Sequence, residues 1–186
     1  MKSGKGSEFE RTVAKQLGLW WTQNDPEPRD DIFWRTSQSG GRATTRAKQG
    51  KTTANAQGDL TFTDPVGAPF IEKFLLELKR GYSNDVSVLS ILDGKQKNST
   101  LLQFWQQAER DRLVSGRDWS LLVFKRDRRS VCVMFEWRLF RKITSWSGGL
   151  PEGTVRIDLH TEVGSTVVIP FPAFLEWLSP ETVPFL

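Results

Sequence analysis

The stretch of sequence that decides the fold is residues 74–79, which read Phe-Leu-Leu-Glu-Leu-Lys. Successive side chains of a β-strand point to opposite faces, so Leu76 and Leu78 face one way while Glu77 and Lys79 face the other. The rest of the run is apolar, which is typical of a strand inside a sheet. A carboxylate and an amine are therefore predicted to be neighbours on one face of a core strand.

An amphipathic helix is predicted upstream of this strand, from Ser7 to about Thr22. When residues are spaced at about 100° around the helix axis, Val13 and Leu17 fall on one broad apolar stripe. Glu10 falls inside the same stripe. Because a carboxylate on the buried side of a helix needs a metal or a cation as its partner, Glu10 is a candidate site residue.

A further acid, Asp59, is expected to lie close to the strand at 74–79. The run Gly58-Asp59-Leu60 starts a short strand, and an antiparallel return from it would set Asp59 beside Glu77. These two carboxylates and the backbone carbonyl of Leu78 form an all-oxygen site suited to Mg²⁺, with Mn²⁺ as a substitute. Such an ion lowers the pKa of a bound water, and Lys79 would orient that water or neutralise developing negative charge. The alternative is that Glu77 and Lys79 are only a charge pair on a solvated strand face.

The remaining segments alternate between strand and helix patterns, without an internal repeat. Further strands are predicted over 31–35, 60–63, 120–125, 130–137, 155–159 and 166–169, and further helices over 100–114 and 173–178. We therefore predict an α/β protein with a single domain over residues 1–186. Within it, 131–186 is a C-terminal extension whose role the sequence leaves open, and 37–57 is a basic, mobile loop.

The bulk composition restricts the class of protein and of site. The chain has 186 residues, a formal net charge of +4 and a pI near 9.4, which permits a nucleic-acid partner without demanding one. Cys132 is the only cysteine, so an intramolecular disulfide and a thiolate metal cluster are excluded. No apolar stretch approaches the length of a membrane span, and the first eleven residues are polar and charged. We expect a cytoplasmic protein, in a bacterium or a phage-infected host, that does not bind membranes.

With these residues identified, the chain resembles the PD-(D/E)XK nuclease superfamily, and within it the archaeal and phage Holliday-junction resolvases. Four segments carry the resemblance: 5–11 (similar to Lys-Gly-small-X-X-Glu-Arg), 34–40 (similar to Arg-X-X-X-Ser-Gly), 58–60 and 76–79. They occur in the family's order over roughly the first 80 residues. The chain departs from the family in three ways: Gly58 replaces a Pro that does no chemistry, the loop at 40–57 is longer, and 131–186 matches no known pattern.

The resemblance implies a fold, a site and a reaction. The fold is a central mixed β-sheet flanked by helices, as in restriction endonucleases. Asp59 and Glu77 bind the metal, Glu10 completes the site from the first helix, and Lys79 assists catalysis. The reaction is metal-dependent hydrolysis of phosphodiester bonds in DNA.

Basic and hydroxyl side chains around the predicted site are candidates for DNA binding. The loop at 37–57 carries four cations and no acid, and it leads directly into Asp59. Phosphate contacts provide affinity without sequence choice. The candidate DNA-binding residues are Arg35, Ser37, Ser39, Arg42, Arg46, Lys48, Lys51 and Arg80. The alternative for the loop is a solvated segment with no ligand.

Three functions remain open at this stage. The first is a structure-selective endonuclease that acts on branched or junction DNA as a homodimer, because paired nicks need two sites in fixed relation. The second is a nuclease of the same superfamily with a restriction or general DNA-processing role. The third is a DNA-binding protein that keeps the fold without cleavage, against which the intact Asp59, Glu77 and Lys79 argue.

Overall fold

The computed structural model describes residues 5–36, 58–80, 87–92 and 99–186. The predicted mobile loop at 37–57 lies outside these residues, and so do six of the DNA-binding candidates: Ser37, Ser39, Arg42, Arg46, Lys48 and Lys51. The described helices are α1 (Lys5–Trp21), α2 (Ala68–Lys73), α3 (Leu89–Leu92), α4 (Thr100–Ser115), α5 (Trp137–Ser147) and α6 (Phe171–Trp177). The described strands are β1 (Phe33–Arg35), β2 (Leu60–Phe62), β3 (Phe74–Arg80), β4 (Trp119–Lys125), β5 (Cys132–Glu136), β6 (Ile157–Thr161) and β7 (Gly164–Pro170). Short 3₁₀ helices cover Pro65–Gly67 and Pro180–Phe185.

Five of these strands form one mixed sheet in the order β3-β4-β5-β7-β6. β3 pairs with β4 in parallel, and the other neighbours are antiparallel. β1 and β2 form a separate antiparallel ribbon. The mixed sheet flanked by helices that the resemblance implies is confirmed, and β3 is its edge strand.

The two faces of the sheet pack against different helices. Side chains of α1, α5 and α6 form the larger core, which includes Leu17, Phe140 and Phe174. Side chains of α4 form a smaller core on the other face, where Trp105 packs near Leu122. β3 separates its residues between these faces as a strand must.

The alternation predicted for residues 74–79 is confirmed. Phe74, Leu76 and Leu78 all belong to the larger core. Glu77 is level with Leu122 and Lys79 with Phe124 in the parallel register, and these two partners belong to the smaller core beneath α4. Glu77 and Lys79 therefore lie on the α4 face of the edge strand.

The segment at 131–186 supplies three of the five strands, β5, β6 and β7, together with α5 and α6. The strand predicted over 130–137 ends one residue early, because Trp137 begins α5. Residues Leu139, Phe140 and Ile143 recur at helical spacing and are buried, so α5 is amphipathic. Sequence analysis assigned no helix here.

None of the helices in the described ranges combines the length and the apolar character that a membrane crossing requires.

Candidate metal centre

Asp59 joins the β1–β2 ribbon to the edge strand of the main sheet. Its backbone N donates a hydrogen bond to the carbonyl oxygen of Leu76 at 2.8 Å. Its carboxylate Oδ2 accepts one from the backbone N of Leu78 at 2.7 Å. These two bonds bracket Glu77, so the structure places Asp59 beside that residue. The antiparallel return expected from the sequence is wrong in detail: β2 pairs with β1, and the ribbon meets β3 through Asp59.

The residue before Asp59 must be glycine in this conformation. Gly58 has φ +82°, in the left-handed region that L side chains rarely adopt. A Cβ built on it would lie 3.0 Å from the carbonyl oxygen of Leu76 and 3.2 Å from Nη1 of Arg117. Proline is fixed near φ −65°, so the family's Pro cannot take this backbone. A proline at this position would therefore require another backbone conformation before Asp59.

Glu77 and Lys79 form a close, shielded ion pair. Nζ of Lys79 lies 2.5 Å from Oε1 of Glu77, and the Glu77 residue is 3% exposed. The same Nζ lies 4.7 Å from the ring centroid of Phe104 on α4. Burial raises the pKa of Glu77, and the positive charge of Lys79 opposes that rise. This is not the solvated charge pair of the alternative interpretation.

The pKa of Asp59 is raised as well. Burial and then repulsion from Glu77 raise its pKa from 3.8 to about 7. The hydrogen bond from Leu78 N and the charge of Lys79 act in the opposite direction, while Glu10 adds to the rise. Perturbed carboxylates of this kind are concentrated at functional sites, where charge is held ready for a ligand.

Glu10 lies on the buried side of α1, as the helical wheel predicts, and is 9% exposed. Its Oε2 lies 2.9 Å from Nε of Arg35 on β1, and the two side chains form an ion pair. Arg35, a predicted DNA contact, is thus the cation that a buried carboxylate requires. Glu10 raises the pKa of both Asp59 and Glu77, so the three carboxylates act on one another electrostatically.

Arg80, the other DNA-binding candidate among the described residues, ends β3 and is held by two acids. Its Nη1 lies 3.3 Å from Oε2 of Glu8 on α1. Its Nε lies 3.7 Å from Oδ1 of Asp127 in the β4–β5 turn. Arg80 therefore lies at the rim of the site, between α1 and that turn.

The side chains and carbonyl at the edge of β3 offer oxygen donors to a divalent cation. Across the described ranges, no three His, Cys, Asp or Glu side chains are gathered as a ready metal-binding group. In the described structure Glu10 is paired with Arg35 and Glu77 with Lys79. The donors next to one another are nevertheless all oxygens: the carboxylates of Asp59 and Glu77 and, at the strand edge where its N–H also points, the Leu78 carbonyl. Oxygen donors fit Mg²⁺. The metal roles of Glu10, Asp59, Glu77 and Leu78 stay predictions.

The helix predicted over 100–114 is α4, but its contact with the site was not predicted from the sequence. Phe104, Gln107 and Asp111 are three and four residues apart on α4, so they share one helix face. Phe104 contacts Lys79, and Asp111 raises the pKa of Glu77. Burial in turn raises the pKa of Asp111, and the attraction of Arg110 opposes that rise. In the sequence, polar residues on the side of the helix opposite Leu102 and Trp105 could have indicated a functional face. A polar helix face is normally exposed to solvent, however, so this pattern alone does not predict a site.

Comparison with known proteins identifies the family of the chain. Neither the curated proteins nor the solved structures give a match to the chain. The family model described as "Phage putative PDDEXK endonuclease" matches residues 1–183, nearly the full chain and including the three C-terminal strands. The chain therefore belongs to this phage family, and it is a nuclease of the PD-(D/E)XK type.

Proposed function

We propose that this protein is a metal-dependent DNA endonuclease that hydrolyses phosphodiester bonds at the outer edge of β3. The observation that carries the proposal is the pair of hydrogen bonds that fixes Asp59 beside Glu77, with Lys79 on the same face as Glu77. Two carboxylates next to one amine in a shielded site match the needs of phosphodiester hydrolysis. That reaction requires charge stabilisation and an oriented water, and no covalent nucleophile.

In this proposal the residues divide into ligands and a charge-stabilising group. Asp59, Glu77 and the Leu78 carbonyl hold Mg²⁺ or Mn²⁺, and Glu10 completes the set. The ion supplies Lewis-acid stabilisation of phosphate oxygens and a water of lowered pKa. Lys79 exchanges its bond to Glu77 for the negative charge that develops on the phosphate. Phe104 keeps the amine of Lys79 at the site when that bond is broken, because a cation is attracted to the face of an aromatic ring.

DNA is the proposed substrate, and its backbone would meet the cations around the site. Arg35 and Arg80 lie there in the described structure. The basic residues of 37–57 remain candidates on the strength of the sequence. We place the reaction in the cytoplasm of a bacterium or of a phage-infected cell.

The test is cleavage of supercoiled plasmid by matched variants. Asp59→Asn and Lys79→Ala are expected to abolish nicking in Mg²⁺ while retaining DNA binding. Asp64→Asn and Lys73→Ala serve as controls, because both side chains form ion pairs away from the site, with Arg29 and Asp118. Circular dichroism verifies that each variant folds. Equal nicking by all four variants, or nicking by wild type in excess chelator, would reject the proposal.

The finer proposal is selectivity for branched DNA by a homodimer. It is supported by the resemblance of 5–11 and 34–40 to the junction resolvases, and by the need of paired incisions for two sites in fixed relation. The assay compares four-way junction, flap, nicked and linear duplex DNA in Mg²⁺, Ca²⁺ or chelator. Preferential, paired cutting of the junction supports a resolvase. Equal cutting of all four substrates, or a strict monomer on and off DNA, favours a restriction or general DNA-processing role instead.

A further inference from the structure

A basic turn connects β4 to β5 at the same end of the sheet as Lys79. It covers residues 125–129 and reads Lys-Arg-Asp-Arg-Arg, four cations and one acid. Lys125 is level with Arg80 in the parallel register of β3 and β4. The acid of the turn, Asp127, lies 3.7 Å from Nε of Arg80. The turn is therefore joined to the last residue of the strand that carries the candidate site.

The arginines of the basic turn are available to an external anion. Arg128 and Arg129 are exposed, and Arg126 is half-buried. In the part of the chain that the structure describes, none of the three forms an ion pair. Asp127 is neutralised by Arg80, so the turn presents a local excess of positive charge. A charged turn of this kind is often only a solvated surface, and a second observation is needed to favour a ligand.

That second observation is the backbone of Arg128. The backbone N of Arg129 donates to the carbonyl oxygen of Arg126 at 3.1 Å, which closes a four-residue turn. Arg128 is the third residue of the turn and has φ +61°, the only positive φ of a non-glycine residue in the described ranges. Glycine or asparagine is the favoured residue at such a position, because an L side chain strains the backbone there. The arginine side chain is therefore present where it opposes the stability of the turn, which is typical of functional sites.

The turn also lies at a distance that suits a neighbouring phosphate. Lys79 is level with Phe124 on β4, and Arg126 follows two residues later, directly after β4 ends at Lys125. With about 3.3 Å of rise per residue and about 4.8 Å between strands, the Cα atoms of Arg126 and Lys79 are separated by roughly 8 Å in a straight line. One DNA strand advances about 3.4 Å along the helix axis per phosphate and also turns about that axis, so a separation of this size corresponds to the next phosphate along the strand.

We propose that the basic turn binds the phosphate backbone of duplex DNA next to the phosphodiester bond that is cleaved at Glu77 and Lys79. The inference rests on the proposed nuclease function. It adds a second contact with the DNA backbone, called the clamp below, that holds the duplex beside the site. Contacts of this kind provide affinity and orientation but no choice of sequence.

The experiment uses Arg128→Gly, with Arg138→Ala as the matched control. Arg138 is an exposed arginine whose guanidinium lies 5.4 Å from the ring centroid of Trp119, at the opposite end of β4. Binding of a short labelled duplex is measured by fluorescence anisotropy in chelator over a range of salt, and thermal unfolding is measured alongside. For Arg128→Gly we expect about five- to tenfold weaker binding near 0.1 M salt and a log–log salt slope shallower by about 0.9. We also expect a Tm no lower than that of wild type.

The outcomes separate this inference from the proposed function. Arg138→Ala should bind as wild type does. If Arg128→Gly matches Arg138→Ala in affinity and salt slope while wild type cuts DNA, the turn is a solvated surface and the nuclease proposal stands. If wild type neither binds nor cuts DNA, the proposed function itself fails. Arg129→Ala, which leaves the strained position unchanged, is expected to lose a similar share of affinity, and unchanged binding by that variant also counts against the clamp.

Discussion

Replacing Asp59 by Asn is expected to make the metal-free protein more stable at alkaline pH. Burial and repulsion from Glu77 raise the pKa of Asp59 from 3.8 to about 7 in the folded protein. The charged form of Asp59 is therefore disfavoured by folding. An asparagine carries no charge and keeps an oxygen that accepts the hydrogen bond from Leu78 N.

The magnitude follows from the difference in proton binding between the two states. Between about pH 4 and pH 7 the folded protein holds a proton on Asp59 that the unfolded chain has released, so stability falls as pH rises through this window and is level above it. The shift from 3.8 to about 7 corresponds to about 4 kcal/mol at 1.36 kcal/mol per pKa unit. Part of this free energy comes from the repulsion between Asp59 and Glu77 and therefore also depends on the charge of Glu77. We expect Asp59→Asn to exceed wild type by about 2 to 4 kcal/mol near pH 8 and to equal it near pH 4.

The assay is urea denaturation in chelator at both pH values, followed by circular dichroism. Asp64→Asn is the control, because hydrogen bonds from the backbone N of Val66 and then from the side chain of Arg29 lower the pKa of Asp64. Relative to wild type, Asp64→Asn should therefore gain no stability as pH rises. Added Mg²⁺ is expected to stabilise wild type and leave Asp59→Asn unchanged, since binding to the folded state alone stabilises it. An Asp59→Asn protein that is less stable than wild type near pH 8 would refute the reasoning, because the charged carboxylate would then favour folding.

Three further changes test the surroundings of the site. Gly58→Ala should destabilise the fold by about 1 to 2 kcal/mol or more in thermal unfolding, because the φ of residue 58 is +82° and the new Cβ meets the carbonyl of Leu76. An unchanged Tm would mean that the backbone at residue 58 relaxes freely. Phe104→Leu should slow plasmid nicking about two- to fivefold and leave DNA binding unaltered, because Lys79 loses its contact with the aromatic ring. An unchanged nicking rate would mean that Phe104 contributes to packing alone. Leu17→Ala, in the fully buried part of α1, should cost about 2 to 5 kcal/mol in urea denaturation, and a smaller cost would indicate that the core closes around the gap.

The parts of the site that the sequence predicted are those in which local periodicity determines orientation. The two-residue period of 74–79 placed Glu77 and Lys79 on one face, and the helical period of 7–22 placed Glu10 on a buried side. Both patterns are properties of a single element, so no knowledge of its neighbours is required.

The parts that the sequence missed depend on how separate elements meet. Asp59 reaches β3 through two hydrogen bonds from a separate ribbon, and no pattern in 58–63 shows that pairing. The partner of Glu10 is Arg35, which follows from the packing of α1 on β1. The contribution of Asp111 required the docking of α4 onto β3. In the case of α5, an apolar run ending in Trp137 hid the point at which a strand turns directly into a helix.

Asp59 directly precedes β2 of the ribbon, whereas Glu77 lies in β3 of the main sheet, and this affects how far apart the two acids can lie. No continuous ladder ties the ribbon to β3, so a slight pivot of the ribbon at Asp59 alters the span between the two acids while the five-stranded sheet keeps its register. Mg²⁺ binds oxygen at about 2.0 to 2.1 Å and Ca²⁺ at about 2.3 to 2.6 Å, so a pivot of a few tenths of an ångström distinguishes them. If these acids hold the ion as proposed, its size preference is adjusted by the packing of Phe33 in the ribbon against α1 and α2, and substitutions there are expected to change which ion supports cutting.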